Sequence, residues 1–519
     1  MSNIIKPVQL LALFILVNQL TGCAVGPDFT PPAPPDIGTY TETPLPARTA
    51  SAPTLLGESQ HFVTGGAVTP RWWREFESAE LNDLIDQALE ASPTLAEARA
   101  ALRRAREIYA ARAGSSRYPQ VDANLSGQRQ RFNPGSLGQT GDPREFSLYN
   151  AGIDVHYRFD LAGGNRRALE ALAANIDYQH YQLEGARLTL AANIVTTAVN
   201  RARFAAQIEA TEAILHSQAE QLELARERLR LGQAAADEVP PLQILVEQTR
   251  AGIPLLRNQL QQNEHLLALL TGREPGAAGL PSFTLRDFTL PAGLPLIVPS
   301  ELVRTRPDIR AAEALLHAAN AEYGVAVANL YPQLDLSANL GSQALTTGAL
   351  FGAGSTVWSL VGQLTQPLFN PGLPAEKRAA LATFDAAAAN YRKVTLESLR
   401  NVADGLRALD NDARRLTALF AADAAARDSL ESMERRYALG TATYVELLIA
   451  QQQAQQTRIS LIEAQALRLV DSAVLYQAMG GGGLRGDESQ EPGARSQEPG
   501  ARSQESGVKS EEKTLNKFR

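Results

Sequence analysis

The chain carries one series of landmarks twice, roughly 200 residues apart, so any fold proposed for it must use a single plan two times over. In the first copy Ser92-Pro93-Thr94-Leu95 opens a helical pattern that stops before Tyr118-Pro119-Gln120. In the second, Arg306-Pro307-Asp308-Ile309 opens one that stops before Tyr331-Pro332-Gln333. Farther on, Arg228-Leu-Arg-Leu-Gly232 answers Arg436-Tyr-Ala-Leu-Gly440, and Gln248-Thr249-Arg250 answers Gln456-Thr457-Arg458 in the same register. Each copy reads as a helix, two alternating segments joined by a loop, a very long helix, a glycine-containing turn and a helix running back. The fold class is therefore α+β, with an internal duplication.

The alternating segments have a period of two. Val121, Ala123, Leu125 and Gly127 alternate with Asp122, Asn124, Ser126 and Gln128, and Ile153, Val155, Tyr157, Phe159 and Leu161 alternate with Asp154, His156, Arg158 and Asp160. In the second copy Leu334, Leu336, Ala338 and Leu340 alternate with Asp335, Ser337, Asn339 and Gly341, and Trp358, Leu360, Gly362 and Leu364 with Ser359, Val361, Gln363 and Thr365. Strands are expected at about 121–130, 146–161, 334–344 and 355–369. Strands of this length, apolar on one face and polar on the other, fit transmembrane β-strands between lipid and water. A soluble sandwich gives the same alternation. Four strands cannot close a barrel, and an open edge in lipid leaves backbone groups unpaired. If the strands span, two copies give a barrel filled by side chains, whereas three give twelve strands around a lumen.

The helices narrow the choice. About 65 residues from Asn165 to Leu231 contain no proline, roughly 100 Å of helix at 1.5 Å per residue. Leu399, Val402, Leu406, Leu409, Ala413, Leu416 and Phe420 step by three and four, as the seam of a left-handed coiled coil does. Phe204, Ile208, Leu215, Leu222, Ala225 and Leu229 do so in the first copy, with Thr211 and Gln218 in the remaining steps. Only 6% of residues are aromatic and alanine is abundant, which favours close helix packing.

The ends differ from this body. Residues 1–22 read as a signal peptide, with Lys6 ahead of an apolar run from Leu10 to Val17 too short to span a bilayer. Cys23 is the only cysteine, so no internal disulfide forms. Leu20-Thr21-Gly22-Cys23 resembles a lipobox, which implies cleavage before Cys23 and its lipidation; Ala24, in place of an inner-membrane-retaining Asp, favours the outer membrane by the same resemblance. Residues 23–70 are rich in Pro, Thr and Gly and read as an extended strap. The repeats are assigned to 71–272 and 300–479, with a linker at 273–299. Gly480 to Gly483 stop the last helix, and the repeating Ser-Gln-Glu-Pro-Gly-Ala-Arg unit of 480–519 is expected to be disordered.

Several functions lack a basis. A formal charge of -7 with interspersed signs offers no basic stripe for nucleic acid. Six scattered histidines, no His-Glu-x-x-His, no phosphate-binding loop and no cysteine pair give no ground for an enzyme, a metal or a cofactor.

The most specific stretch is Leu302-Val-Arg-Thr-Arg-Pro-Asp-Ile-Arg-Ala-Ala-Glu313, continuing through Ala319-Asn320-Ala321 and Gly324-Val325-Ala326 to Tyr331-Pro332. With Cys23-Ala-Val-Gly-Pro-Asp-Phe29, Trp72-Trp73-Arg-Glu-Phe76, Phe159-Asp-Leu-Ala-Gly-Gly-Asn-Arg-Arg167 and Gln366-Pro-Leu-Phe-Asn370, the chain resembles a TolC-like outer membrane factor of the NodT-type lipoprotein branch. The resemblance runs from Cys23 to about Gly480. It implies a homotrimer, a twelve-stranded barrel in the outer membrane continuous with a periplasmic α-barrel, and passive export of small molecules. An inner-membrane RND-type transporter would deliver them through a periplasmic adaptor. Locally, Arg306-Pro307-Asp308-Ile309 is a helix start, with Pro307 in the first turn and Asp308 near the positive end of the helix dipole.

By the same resemblance the hairpin tips form the periplasmic end. The adaptor-docking turns map onto Leu231, Gly232 and Gln233, and onto Leu439, Gly440 and Thr441. Tyr437 and Glu446 fall where the family places a gating tyrosine and an acidic ring, and Glu238, beside Asp237, holds the acidic position of the first tip. Three copies of Glu446 around one axis would repel one another and attract cations. The same carboxylates also read as ordinary solvated charges at a helix turn. Ala442 and Ile449 depart from relatives that carry an Arg and an acid there, and Pro240-Pro241 is expected to perturb the returning helix. The channel of a type I protein secretion system shares this fold, and a non-conducting coiled-coil lipoprotein is the structural alternative.

Overall fold

The computed structural model describes residues 24–482 apart from Ala67, Gln139 and Ala278. The signal peptide expected over 1–22, the lipidation site expected at Cys23 and the repetitive tail from residue 483 lie outside the described residues. In the first copy, α1 (Ala79–Ala91) and α2 (Pro93–Arg117) lead to β2 (Gln120–Phe132) and β3 (Arg144–Phe159), then to α3 (Gly164–Arg230) and α4 (Val239–Leu270). The second copy runs through α5 (Pro299–Thr305), α6 (Pro307–Ala328), β5 (Gln333–Ala344), β6 (Thr356–Thr365), α7 (Gly372–Ala438) and α8 (Tyr444–Ala478). The helices α3 and α7 are each 67 residues long, about 100 Å. No helix among the described residues is long and apolar enough to cross a membrane.

The four long strands form one antiparallel sheet in the order β2-β3-β5-β6. Its register carries the alternation of each strand onto its neighbours. Ala123 stands opposite Ile153, Ile153 opposite Leu340, and Leu340 opposite Trp358, so one face is apolar across the whole width. The next row sets Asp122, Asp154, Asn339 and Ser359 on the other face. There Asp154 accepts from Asn124, and from Asn339 Nδ2 at 2.6 Å, while Arg158 pairs with Asp335 at 2.6 Å. A one-residue slip would bury none of these groups correctly. On the apolar face Leu125, Trp358 and Leu360 are 79%, 76% and 64% exposed, so none of the described residues covers it. Within the sheet β2 and β6 each pair along one edge alone.

Strand ends follow local chemistry. The strand expected to reach residue 161 stops at Phe159, because the Asp160 carboxylate turns to cap α3, accepting from the N–H groups of Asn165 and Arg166 at 2.9 Å each. The one expected to reach 369 stops at Thr365, ahead of Pro367, which has no N–H for a ladder. Between Asp160 and α3, Gly163 has φ +76°, and a Cβ there would meet Ala24 Cα at 2.5 Å.

The helical seams pack as coiled coils do. Val402, Leu406, Leu409, Ala413 and Leu416 are buried on α7, and Leu416 meets Leu461 and Ala464 of α8. Leu222 and Ala225 of α3 meet Leu242 and Val246 of α4. Leu229 leaves the seam and is 36% exposed. Pro240 and Pro241 do not perturb α4. They lie in its first turn, where the missing N–H groups have no helical partner and the fixed φ suits a helix start.

The strap and the segment at 273–299 are more structured than composition suggests. β1 (His61–Thr64) pairs in parallel with β4 (Gly293–Leu296), so the presumed linker carries a strand. The buried Arg468 of α8 donates to the carbonyls of Leu56 and Glu58 at 2.9 and 2.8 Å and to Gln60 Oε1 at 3.0 Å. At the start of the strap, buried Arg167 of α3 binds Gly26 O at 3.2 Å and Asp28 at 2.7 Å, and Phe29 stacks on His317. Arg306 joins α6 to the end of α8. It donates to Ala478 O at 2.8 Å, serving an otherwise orphaned helix-terminal carbonyl, and pairs with Asp308 at 2.8 Å.

On α8 the Asp471 carboxyl is pushed up to about 8 by burial and by the hydrogen bond and charge of Asp412 on α7, against the pull of Arg468. Arg306 and Asp404 line the same hollow as Asp471. The folded pKa lies above the ordinary 3.8, so the folded chain binds the proton more tightly, and stability from this pair is lost as pH rises from about 4 to about 8. Thermal unfolding of the wild type is therefore expected to shift to lower temperature across that range. In Asp471→Asn the pH slope should flatten and Tm at pH 8 should exceed the wild-type value.

Candidate functional site

The long helices end in one motif used twice. The N–H groups of Leu231, Gly232 and Gln233 donate to the carbonyls of Glu227, Leu229 and Arg228 at 3.0, 3.0 and 2.8 Å. Those of Leu439, Gly440 and Thr441 donate to Arg435, Tyr437 and Arg436 at 3.1, 3.1 and 2.9 Å. Gly232 and Gly440 have φ +71° and +72°, the left-handed conformation that ends a helix and favours glycine. All six turn residues are exposed, and Leu231 and Leu439 stand out as apolar side chains at the turns.

After the turns the copies diverge. Thr443 and Glu446 form a capping box: the Glu446 carboxylate accepts from the Thr443 N–H at 2.7 Å and its hydroxyl at 2.8 Å, and the Glu446 N–H donates back to Thr443 Oγ1 at 3.3 Å. The hydrogen bonds from the Thr443 backbone and hydroxyl, with a smaller contribution from Arg436, hold the Glu446 carboxyl below the usual carboxylate range. It is nevertheless exposed. In the first copy Glu238 Oε1 accepts from the Ala235 N–H at 3.2 Å, while Oε2 accepts from the Tyr437 hydroxyl at 3.2 Å. Glu238 thus reaches the second hairpin, and Glu446 stays on its own helix. Asp237 is exposed beside Glu238.

The two tips are tied by a residue that sequence reasoning noted only as part of the repeat. Arg228 of α3 donates to the carbonyls of Tyr437 and Ala438 at 3.2 and 2.9 Å, and its guanidinium lies 5.1 Å from the centre of the Tyr437 ring. Its counterpart Arg436 donates to Thr441 O in its own turn at 3.3 Å. Tyr437 is buried, and burial together with the Glu238 carboxylate pushes its hydroxyl up, with Arg228 acting against them. One step above, Gln221 of α3 donates to Glu434 of α7 at 2.7 Å and accepts from Gln451 of α8. The candidate residues Tyr437 and Glu238 therefore meet, whereas no hydrogen bond joins Tyr437 to Asp237 or Glu446. Glu434, Gln451, Gln221 and Arg228 had no motif to mark them.

A family model described as outer membrane efflux protein matches residues 84–273 and 298–481. The chain belongs to the outer membrane efflux protein family. This efflux protein is 30% identical over 477 residues to the solvent efflux pump outer membrane protein SrpC of Pseudomonas putida, covering 91% of this chain and 98% of that one. It is 31% identical to the pyoverdine export outer membrane protein OpmQ of Pseudomonas putida, over 85% of this chain and 94% of the relative. Among solved structures, the outer-membrane channel OprN superposes with a TM-score of 0.79 at 27% identity, over 88% of this chain and 99% of that chain. The TolC-like fold and placement in the outer membrane follow.

Removal of Arg228 leaves the part-buried Tyr437 carbonyl without this donor, a cost of about 1 kcal/mol, while the exposed Ala438 carbonyl turns to water. In Arg228→Ala, amide hydrogen exchange is expected to speed severalfold at residues 437–446 while the ends of α7 and α8 away from the tips keep wild-type protection. Equal exchange at the tips of both proteins would show that this tie contributes nothing.

Proposed function

We propose that this efflux protein is the exit duct of a tripartite system. Three copies close a twelve-stranded barrel, the long helices continue it through the periplasm, and a periplasmic adaptor docks at Leu231-Gly232-Gln233 and Leu439-Gly440-Thr441. Small molecules reach it from an inner-membrane RND-type transporter and leave passively, so the channel needs no nucleophile or acid-base pair of its own. The observation that carries this reading is the single sheet that is apolar on one face and polar on the other, with two open edges, joined directly to 67-residue helices. Open edges in lipid cost several kcal/mol per unpaired group, and pairing β6 of one copy with β2 of the next removes them. Three copies leave a water-filled lumen lined by the polar rows of Asp154, Asn339 and Arg158.

In this reading the tips are also the gate. Arg228, Tyr437 and Glu238 hold the two hairpins of one copy together, and Glu446 adds a ring of charge around the axis without being spent on the latch. Ala442 and Ile449 place apolar side chains where, by the resemblance, some relatives carry an Arg and an acid. Lipid on Cys23 tethers the strap to the membrane beside the barrel, close to where Arg167 grips Gly26 and Asp28.

Purified trimers in planar bilayers are expected to conduct weakly, and the pair Tyr437→Phe with Glu238→Gln to conduct several-fold more. Silence from both would favour a structural coiled-coil lipoprotein. A photo-crosslinking residue at Thr441 is expected to capture the adaptor of a small-molecule pump; capture of a protein-secretion adaptor instead would reassign the duct to type I secretion.

A further inference from the structure

Where α2, β3 and α3 meet at the foot of the sheet, the surface holds a hollow of about 430 Å³. Tyr109, Ser116 and Arg117 of α2 line it, with Tyr157 near the end of β3 and Arg166 and Leu169 near the start of α3. Tyr157 stands opposite Leu336 in the ladder and so belongs to the apolar face of the sheet. Its ring meets Phe159 edge-on at 4.9 Å on that face. The hollow is therefore continuous with the apolar surface that no described residue covers. At this end of it Tyr118, Val121 and Phe159 are 68%, 64% and 40% exposed. A polar recess under a bare apolar wall, with tyrosines at the join, has the layering of a membrane–water boundary.

The charge around the hollow is unbalanced in one direction. Although the chain as a whole carries -7, α2 holds six arginines against two glutamates. Arg117, in its last turn, is exposed and has no ion pair among the described residues; it donates to the Tyr109 hydroxyl at 3.4 Å. Arg112 donates to Asn165 Oδ1 at 3.0 Å, a neutral acceptor. Arg166 is half-exposed and its side chain comes no closer to Asp160 than 3.8 Å, beyond a hydrogen bond. The two carboxylates in the lining answer to other groups. Asp160 accepts from the N–H groups of Asn165 and Arg166 at 2.9 Å each, and Glu170 lies 2.8 Å from Arg167 Nη1 and 2.9 Å from His317 Nε2. Arg117 and Arg166 are thus accessible forks of N–H donors with no oxyanion of the chain in hydrogen-bond range, and a phosphate matches such forks.

We propose that this hollow seats the headgroup of one anionic phospholipid from the leaflet on the helical side of the membrane. Its phosphate lies between Arg117 and Arg166, its glycerol against Tyr109 and Tyr157, and its acyl chains along the apolar face past Phe159 and Val121. The site rests on the reading of the sheet as membrane-spanning and goes beyond it, fixing the depth at which the sheet sits and joining α2 to α3 through a bound lipid. A lipid on Cys23 would carry no phosphate and has no use for these guanidiniums.

The test titrates full-length protein, purified from membranes in detergent and stripped of lipid, with dioleoylphosphatidylglycerol and counts bound lipid by native mass spectrometry. Saturable binding of one lipid per chain is expected, weakened about fivefold or more in Arg117→Gln and in Arg166→Gln, since each change removes a charged partner of the phosphate. The pair Arg103→Gln with Arg104→Gln lies about 20 Å farther down α2 and should leave binding unchanged. Dioleoylglycerol, which lacks the phosphate, and glycerol 1-phosphate, which lacks the chains, should each bind at least about tenfold more weakly. Equal binding of dioleoylglycerol would reduce the site to apolar adhesion, and equal binding of glycerol 1-phosphate would make it a site for a free anion; either overturns the proposal. Unchanged affinity in Arg117→Gln and Arg166→Gln, or an equal loss in the Arg103 and Arg104 pair, would overturn it as well. All four arginines except Arg166 are exposed on one helix and none is buried, and the mass of each complex shows whether a variant still assembles. Chains that form no membrane trimer would overturn the duct reading and this site with it, whereas stable trimers without a preference for the phosphate would overturn this site alone.

Discussion

Backbone groups at a sheet edge need partners wherever water is absent, and a four-stranded sheet has two edges. This constraint governs the whole molecule. The register that places Ala123, Ile153, Leu340 and Trp358 in one row makes an apolar surface that only lipid or another protein can cover. Within the same sheet β2 and β6 remain open. Closure by copies of the same chain answers both needs at once, because each new copy presents β2 to the β6 before it and continues the apolar face around the ring. Strand number and lumen size support the proposed trimer, and in such a ring the duplicated sequence would make the helices nearly sixfold.

A barrel built from such sheets imposes order on what leaves it. Each strand pair hands its chain to a 67-residue helix through a junction that must be rigid, and the junctions are fixed by side chains that cap and clamp. Asp160 caps α3, and Asn370 accepts from the Gly372 N–H at 3.0 Å to start α7. Arg167 then draws the first residues of the strap against the same junction, with Gly163 giving the room. Farther along, Arg468 and Gln60 fasten the strap across α8. The strap thus fastens helices whose mutual packing, rich in alanine, has little side-chain bulk to interlock.

The parts of this arrangement that could be read from the chain were those with a local period. The pleat forces alternation on Val121 through Gly127 whatever surrounds them, and the seam from Leu399 to Phe420 steps as a coiled coil must. Pro240 and Pro241 show where local reasoning divides: the same residues break a helix from inside and open one from its first turn, and only the position of the turn decides. The strap read as extended because proline and glycine exclude a helix, but those residues say nothing about pairing, so β1 and β4 were hidden. At the tips Tyr437 and Glu238 were reached through family resemblance. Arg228 was not, because its partners are the carbonyls of Tyr437 and Ala438, 209 and 210 residues away, and carbonyls leave no trace in a sequence.

Duplication followed by divergence also explains why the tips have opposite characters. The helix ends remain superposable in their hydrogen bonds, since the left-handed glycine and its three backbone bonds tolerate little change. Side chains just outside that motif were free to part. Arg436 bonds its own turn and Glu446 its own helix, so the second tip is satisfied alone. Arg228 and Glu238 instead also reach across, Arg228 to the Tyr437 and Ala438 carbonyls and Glu238 to the Tyr437 hydroxyl, which ties the first tip to the second. A self-sufficient hairpin can swing as a unit once its neighbour releases it, whereas a dependent one sets the cost of that release. In the proposed gate, this asymmetry assigns the control of opening to the first copy and the movement to the second.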